Sequence, residues 1–343
     1  MKIEIIDIIP GEVCHHYDIV TGDLIVSMGP KFFGRVKGAC FEFEIPVQFT
    51  DYLMSKTRYL RRISRRDKSN CILNCSKNGL IVIYLGVIFY YDLRVKKLSQ
   101  TLKMNYGRNL LHQSIAVSDG LITFGEYFSN KNLVPVTVWQ SKDDGISWYE
   151  ATKLAGIRHV HGVYKDSYSR DLWITTGDFD DQCFLYQVID GEFDKVIKYG
   201  DGSQYWRAVS LNFDKNYIFW GMDSPIADSY LVYMNRKDKS IFLGPSMPGP
   251  VWYSKTLVDG GYLFGTSVEP GPSVKSNLSS VYYLTDLNSL NCIGTYRKDI
   301  LNGRLFKFGV VGFADGDQSK NDFIFFGEAL SNIDGKIFRA KIK

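Results

Sequence analysis

The chain has 343 residues, of which 45% are apolar, 15% aromatic and 23% charged, a balance that excludes a disordered or collagen-like polypeptide and suffices for a full-sized core. Forty-one basic residues against thirty-seven acidic ones leave a formal charge of +4, dispersed along the chain, so no nucleic-acid partner is expected. The six cysteines, at 14, 40, 71, 75, 183 and 292, lack metal-knuckle spacing and read as free, mostly buried thiols.

In chain order, MKIEIIDIIPGEV opens with a strand-like segment, Lys2 to Ile9, whose charges at Lys2, Glu4 and Asp7 exclude a signal-peptide hydrophobic region; a cytoplasmic location is the expectation. HYDIVTGDLIVSMG follows from His16, two short β-rich runs joined by a turn. The basic run Lys56 to Lys68, with seven Lys or Arg and one Asp, reads as a solvated face, its functional alternative being the docking of an anionic polymer. CILNCSKNGLIVIYLG, from Cys71, repeats the two-strand layout. The apolar stretch Leu80 to Tyr91 contains Gly86 and falls short of the ~20 residues of a bilayer-spanning helix, so it reads as core strands and no membrane span is expected.

QSIAVSDGLITFGE ends the next copy at Glu126, HGVYKDSYSRDLWITTGD ends one at Asp178, RAVSLNFDKNYIFWGMD at Asp223, YSKTLVDGGYLFGTSVE at Glu269 and FGVVGFADGDQSKNDFIFFGE at Glu328. First strands therefore start near 16, 71, 113, 161, 207, 253 and 308, a spacing of 42 to 55 residues that matches a four-stranded propeller blade. The fold expected is all-β: one seven-bladed β-propeller domain over residues 1–343, built of four-stranded antiparallel blades. Its ring is closed by the Lys2 to Ile9 segment meeting the C-terminal one, Lys336 to Lys343.

Between the third and fourth copies, SKDDGISW, Ser141 to Trp148, matches the Asp-box pattern Ser-x-Asp-x-Gly-x-Ser/Thr-Trp. Asp143 suits a turn acceptor, Gly145 a positive φ and Trp148 packing between sheets, which is hairpin chemistry and no reaction. On this box the chain resembles the sialidase-like Asp-box (BNR repeat) propellers. FGEYF, RHVHGVY, ITTGD and GSQYWRAV extend the likeness to bacterial glycosyl-hydrolase-like and polysaccharide-lyase-like members. The resemblance implies the propeller fold and a sugar-related role, with the box on an outer hairpin away from the substrate. The string nearest to the Arg-Ile-Pro segment of sialidases is Glu44-Ile45-Pro46, which lacks the arginine.

In a blade the start of the first strand and the end of the second lie at the same edge. All five histidines, at 15, 16, 112, 159 and 161, fall at or near first-strand starts, as do Arg158, Gln204, Arg207, Trp252 and Tyr253, while Glu126, Asp178, Asp223 and Glu269 lie near second-strand ends. One funnel would then hold bases, acids and cations. His159 and His161, two apart on a strand, share a face. His112, His159 and His161 form a candidate divalent-metal set, with Gln113 or Asp178 as a further donor, the alternative being satisfied histidines that anchor loops. Asp178, Asp180 and Asp181 are a weaker calcium candidate, a solvated turn being the competing reading. Trp206 and Trp252 are either sugar platforms or core.

These residue types suit β-elimination on an acidic, uronate-containing glycan. Arg158 or Arg207 would neutralise the carboxylate, His159 or His161 would take the C5 proton, and Tyr253 or His112 would protonate the leaving oxygen, with Gln204 and Glu126 placing hydroxyls. No cofactor is required by that chemistry. Alternatives are a glycoside hydrolase using two of Glu126, Asp178, Asp223 and Glu269, and a non-catalytic glycan-binding propeller.

Overall fold

The structure, a computed structural model, describes residues 1–74, 78–118 and 120–343. Cys75 therefore lies outside the described residues; Cys14, Cys71 and Cys183 are buried free thiols, and Cys40 and Cys292 are exposed ones. No helix among the described residues is long and apolar enough to cross a membrane.

Five sheets have four strands each, paired in chain order. The first comprises Val13–Tyr17, Leu24–Met28, Lys31–Val36 and Ala39–Glu44, and the second Asn70–Asn74, Gly79–Tyr84, Val87–Asp92 and Lys97–Lys103. Ala116–Ser118, Leu121–Gly125, Val136–Ser141 and Tyr149–Leu154 make the third; His159–Lys165, Leu172–Gly177, Cys183–Val188 and Val196–Gly202 make the fourth. The fifth contains Asn212–Phe213, Tyr217–Gly221, Ser229–Asn235 and Ile241–Met247.

The remaining eight strands form one sheet made of two antiparallel runs. One run is Val251–Thr256, Tyr262–Val268, Leu278–Leu284 and Leu290–Arg297. The other is Gly309–Phe313, Phe323–Glu328, Ile337–Ile342 and Ile3–Ile9, so the terminal strands pair as the sequence suggests, Ile3 opposite Ile342 and Ile9 opposite Ile337. The runs join where Ser267 and Val268 pair with Val310 and Gly309. The expected first-strand starts agree to within a few residues with those found at Val13, Asn70, Ala116, His159, Asn212, Val251 and Gly309.

The chain divides into two compact units, one of Met1–Ser69, Pro225–Ser229 and Gly244–Lys343, the other of Asn70–Ser224 and Tyr230–Leu243. In the first, Val13, Cys14 and Val26 pack with Ala314, Ile324, Phe326 and Ile337. In the second, Val136, Val138, Val160, Val163, Ile174 and Val188 form one core cluster, and Ile81, Ile83, Ile122, Phe124 and Trp139 another. The glycine that ends many second strands is required by close approach. A Cβ on Gly125 would lie 2.4 Å from Val160 Cβ of the next sheet, and one on Gly265 would lie 2.7 Å from the Val311 carbonyl oxygen.

The Asp box folds as its residues require. Asp143 accepts from the Ser147 amide (2.8 Å) and hydroxyl (2.6 Å), Gly145 has φ +88°, and Trp148 donates to Thr101 Oγ1 at 3.1 Å. Since Ser141 pairs with Ile122 and Val138 with Gly125, the box lies at the opposite end of its sheet from Glu126.

The basic run corrects the sequence reading. Two helices, Phe49–Ser55 and Arg58–Ser64, occupy this region, and Arg61 and Arg62 are only 5% and 3% exposed. Arg61 pairs with Glu12, Arg58 with Glu12 (3.2 Å) and Asp334 (2.8 Å), Arg62 with Asp299 (2.7 Å) and Asp334 (3.2 Å), and Arg66 with Asp51. Arg62 also donates to the Phe306 carbonyl at 2.7 Å. Most of these carboxylates come from far along the chain, so the run is an internal ion-pair network and no solvated face.

Two outcomes are expected. Removing one partner of a buried pair strands the other, so Arg62→Ala should cost about 3 to 5 kcal/mol in urea unfolding, whereas a solvated arginine would cost under about 0.5. Burial alone would raise the Glu328 carboxyl, but Lys307, 2.8 Å away, and Lys68 bring it down to about 2. A lowered folded value stabilises above the unfolded value of about 4.3 and loses that contribution as pH falls through the folded one. The stability difference between wild type and Glu328→Gln should therefore be flat above about pH 5 and shrink steadily below about pH 4.

Candidate functional site

The residues that carry chemistry converge on Asp178, immediately after the Leu172–Gly177 strand. Arg158 Nη1 lies 2.7 Å from its Oδ2, His161 Nε2 3.2 Å and Arg207 Nη2 3.1 Å from its Oδ1, and His159 Nε2 3.4 Å from Oδ2. Burial opposes ionisation of this carboxyl, yet the histidine contacts hold it well below the usual carboxylate range. Asp178 is an anion fixed among cations and imidazoles, unsuited to act as a general acid.

Backbone geometry brings the partners in. The first strand of this sheet carries a register shift between Val160 and Gly162, so His161 is the extra residue of a bulge, a device that re-aims a side chain. Comparable shifts flank His15 and Trp252 in two other first strands. His159 Nδ1 meets the Phe128 carbonyl and His161 Nδ1 the Ala208 carbonyl, both at 2.9 Å. A carbonyl can only accept, so each ring donates from Nδ1 and turns Nε2 toward Asp178.

Arg207 follows the short 3-10 turn Gln204–Trp206 and is 6% exposed; its Nε contacts Asp223 at 3.1 Å and its Nη1 donates to the Asp178 carbonyl at 2.8 Å. Gln204 donates to the same carbonyl (3.3 Å) and to Asp180 (3.1 Å) while accepting from Ser224 (2.8 Å). Asp180 is thus engaged by an amide, and the Asp178 carboxylate points at the imidazoles, which leaves no Asp178–Asp180–Asp181 cation cage. The group of metal-capable side chains found among the described residues is His159, His161 and Asp178; buried His112 is not part of it.

Other candidates lie elsewhere. Glu126 is fully buried, accepting from Trp139 Nε1 (3.0 Å) and the Asn105 amide (2.9 Å), and burial raises its carboxyl. Trp206 is 8% exposed and packs near Trp220, so it is core; its neighbour Tyr205 is the exposed ring. In the other unit, Tyr253 is 2% exposed, Trp252 is half-buried with Lys68 Nζ 5.9 Å from its ring, and Glu269 is half-buried.

Two features escaped the sequence reading. Tyr127, inside FGEYF, lies with its ring centroid 4.1 Å from that of His159 and 6.3 Å from that of His161. Its place directly after the second strand's carboxylate was the available signal. A groove of about 560 Å³, lined among others by Gln140, Lys142, Tyr149, Glu192 and Phe193, lies away from the Asp178 cluster.

The exposures separate two roles. Arg158 has 28% of its side chain exposed, so Arg158→Ala should change stability by no more than about 1 kcal/mol, whereas Asp178→Asn, at 16%, should cost about 1 to 3 kcal/mol, because it takes a carboxylate from two arginines while Arg207 keeps Asp223 and the residue-178 carbonyl. Urea denaturation of both variants measures the contrast.

No family model matches the chain, and no curated protein matches it, so the sialidase-like likeness rests on the quoted residues alone. Solved structures do match. A chain of the mitotic checkpoint complex aligns over 99% of this chain and 94% of its own, with a TM-score of 0.61 at 8% identity. The extracellular domain assigned to a hybrid two-component system of B. thetaiotaomicron aligns over 98% and 39%, TM-score 0.59 at 11% identity. YCF48 bound to D1 peptide aligns over 100% and 96%, TM-score 0.56 at 9% identity. These neighbours are propeller-like, and at such identities they establish a β-propeller-type all-β fold and nothing about activity.

Proposed function

We propose that the five four-stranded sheets and the two runs of the eight-stranded sheet are seven blades of one propeller, closed by the pairing of the terminal strands. We further propose that the Asp178 cluster serves β-elimination on an acidic, uronate-bearing glycan. The observation that carries this reading is the gathering of two arginines and two imidazoles on one carboxylate, with a tyrosine ring against His159.

Elimination removes the proton at C5, forms the C4–C5 double bond and breaks the C4–O bond, whose oxygen leaves with a proton. The uronate carboxylate must be neutralised for C5 to be acidic enough. Arg158 is our candidate for that role, supported by its partial exposure and by a guanidinium 5.3 Å from the centroid of the exposed Phe179 ring. Arg207 is buried between Asp178 and Asp223 and positions the loop. His159 and His161 are each 2% exposed and turned toward Asp178, so half-buried Tyr127 is the group better placed to exchange a proton with a sugar. The hydrolase alternative has less support, because Glu126 is locked on Trp139 and Asn105, and Asp223 on Arg207.

Burial of both imidazoles favours, as the second reading, glycan binding without turnover. Incubation with uronate-containing and neutral glycans separates the readings. The expected result is new ultraviolet absorbance together with new reducing ends, lost by on the order of 100-fold in Arg158→Ala and Tyr127→Phe. Reducing ends without absorbance would mean hydrolysis, and binding without either product would mean a recognition module.

A further inference from the structure

His159 Nε2 is buried and makes no hydrogen bond, although Asp178 Oδ2 lies 3.4 Å away, whereas His161 Nε2 is in hydrogen-bond geometry with Oδ1 at 3.2 Å. Both rings spend their Nδ1 proton on a backbone carbonyl. In the neutral ring this leaves an Nε2 lone pair aimed at a carboxylate, which repels it. Two additions relieve the repulsion: a proton on each imidazole, or one dication held by both nitrogens and the carboxylate.

We propose that His159, His161 and Asp178 form a binding site for a divalent first-row transition metal. One ligand atom from each of the three residues lies within 4.8 Å of the others, and the histidine nitrogens stand 3.4 and 3.2 Å from the two oxygens of Asp178, so a small shift reaches the ~3.3 to 3.6 Å that separates neighbouring donors in a tetrahedron with bonds of ~2.0 to 2.2 Å. The carbonyls on Nδ1 are the outer partners that fix the tautomer of a metal-binding histidine. A proton on His159 Nε2 would point at an acceptor outside hydrogen-bond geometry, whereas a cation between the three donors needs no such alignment.

The arginines do not favour protons over metal. Two imidazolium protons and one dication add the same two charges to a site where Arg158 and Arg207 balance Asp178 and Asp223. Each Asp178 oxygen carries two lone pairs and gives one to an arginine, Oδ1 to Arg207 and Oδ2 to Arg158, so whichever oxygen serves as the single donor keeps a lone pair for the metal. Two imidazoles and a carboxylate, with no thiolate, suit zinc, cobalt, iron or manganese. Three protein donors leave a coordination position open, as in reactive sites. This assignment stands whether or not the glycan reading holds.

The test uses the untagged full chain, stripped with chelator and titrated with zinc alone in a calorimeter. The expected result is one equivalent bound, with affinity weakened on the order of 100-fold in His161→Gln and in the near-isosteric Asp178→Asn. Should either variant fail to fold, cobalt added to the wild-type chain keeps the question open to decision: saturable visible absorption at one equivalent, displaced by zinc, supports the site. Absence of saturable zinc uptake by the wild type, or uptake unchanged in folded variants, overturns it.

Discussion

Close packing against the glycine that ends a second strand, as at Gly125, Gly177 and Gly265, fixes where the buried polar residues of this chain stand. At Gly125 the next sheet's Val160 leaves no room for a Cβ, and at Gly177 a Cβ would come within 2.9 Å of the His161 ring and 3.1 Å of Arg207. At Gly327 the contact is instead with Ile333 of its own run, and in each case the residue that follows is mostly buried. After Gly125, Gly177 and Gly327 that residue is a carboxylate, which burial would penalise without partners. Glu126 is satisfied by an indole and a backbone amide, Glu328 by Lys307, and Asp178 by two arginines and two histidines. One backbone device thus yields two structural anchors and one site whose partners carry chemistry.

Charge placement follows the same logic. The densest basic run is consumed internally by Glu12, Asp51, Asp299 and Asp334, so it presents little free cation to an anionic polymer. The guanidinium that stays partly accessible beside Asp178 and the two histidines is Arg158. An anionic ligand is therefore more economically explained at Asp178 than on the helices.

The strand pairs were legible because each copy sets two short β-rich runs about a Gly, Asp or Asn turn, the second run largely apolar and buried, and the terminal pairing followed from completing a four-strand unit. The helices Phe49–Ser55 and Arg58–Ser64 were not, since each is seven residues long and Arg61 and Arg62 are buried by acids mostly distant in sequence. The pairing of His159 with His161 was foreseen from alternation, although the bulge at His161 contributes to it. Burial was not foreseen: a His-x-His motif does not reveal that both Nδ1 atoms are taken by carbonyls. Tyr127 lies inside FGEYF, but its contact with His159 is made across distant sequence and leaves no local signal, and which of the adjacent Tyr205 and Trp206 is exposed depends on a short turn.

The Asp178 cluster is proposed as the place where this protein meets its ligand, with Arg158 as the contact for an anionic group. A crystal structure with a uronate oligosaccharide bound tests it most directly. The expected result is a sugar carboxylate on the Arg158 guanidinium, with the ring beside Tyr127 and Phe179. A glycan seated instead in the groove of Tyr149 and Phe193, with Arg158 still on Asp178 alone, would contradict it.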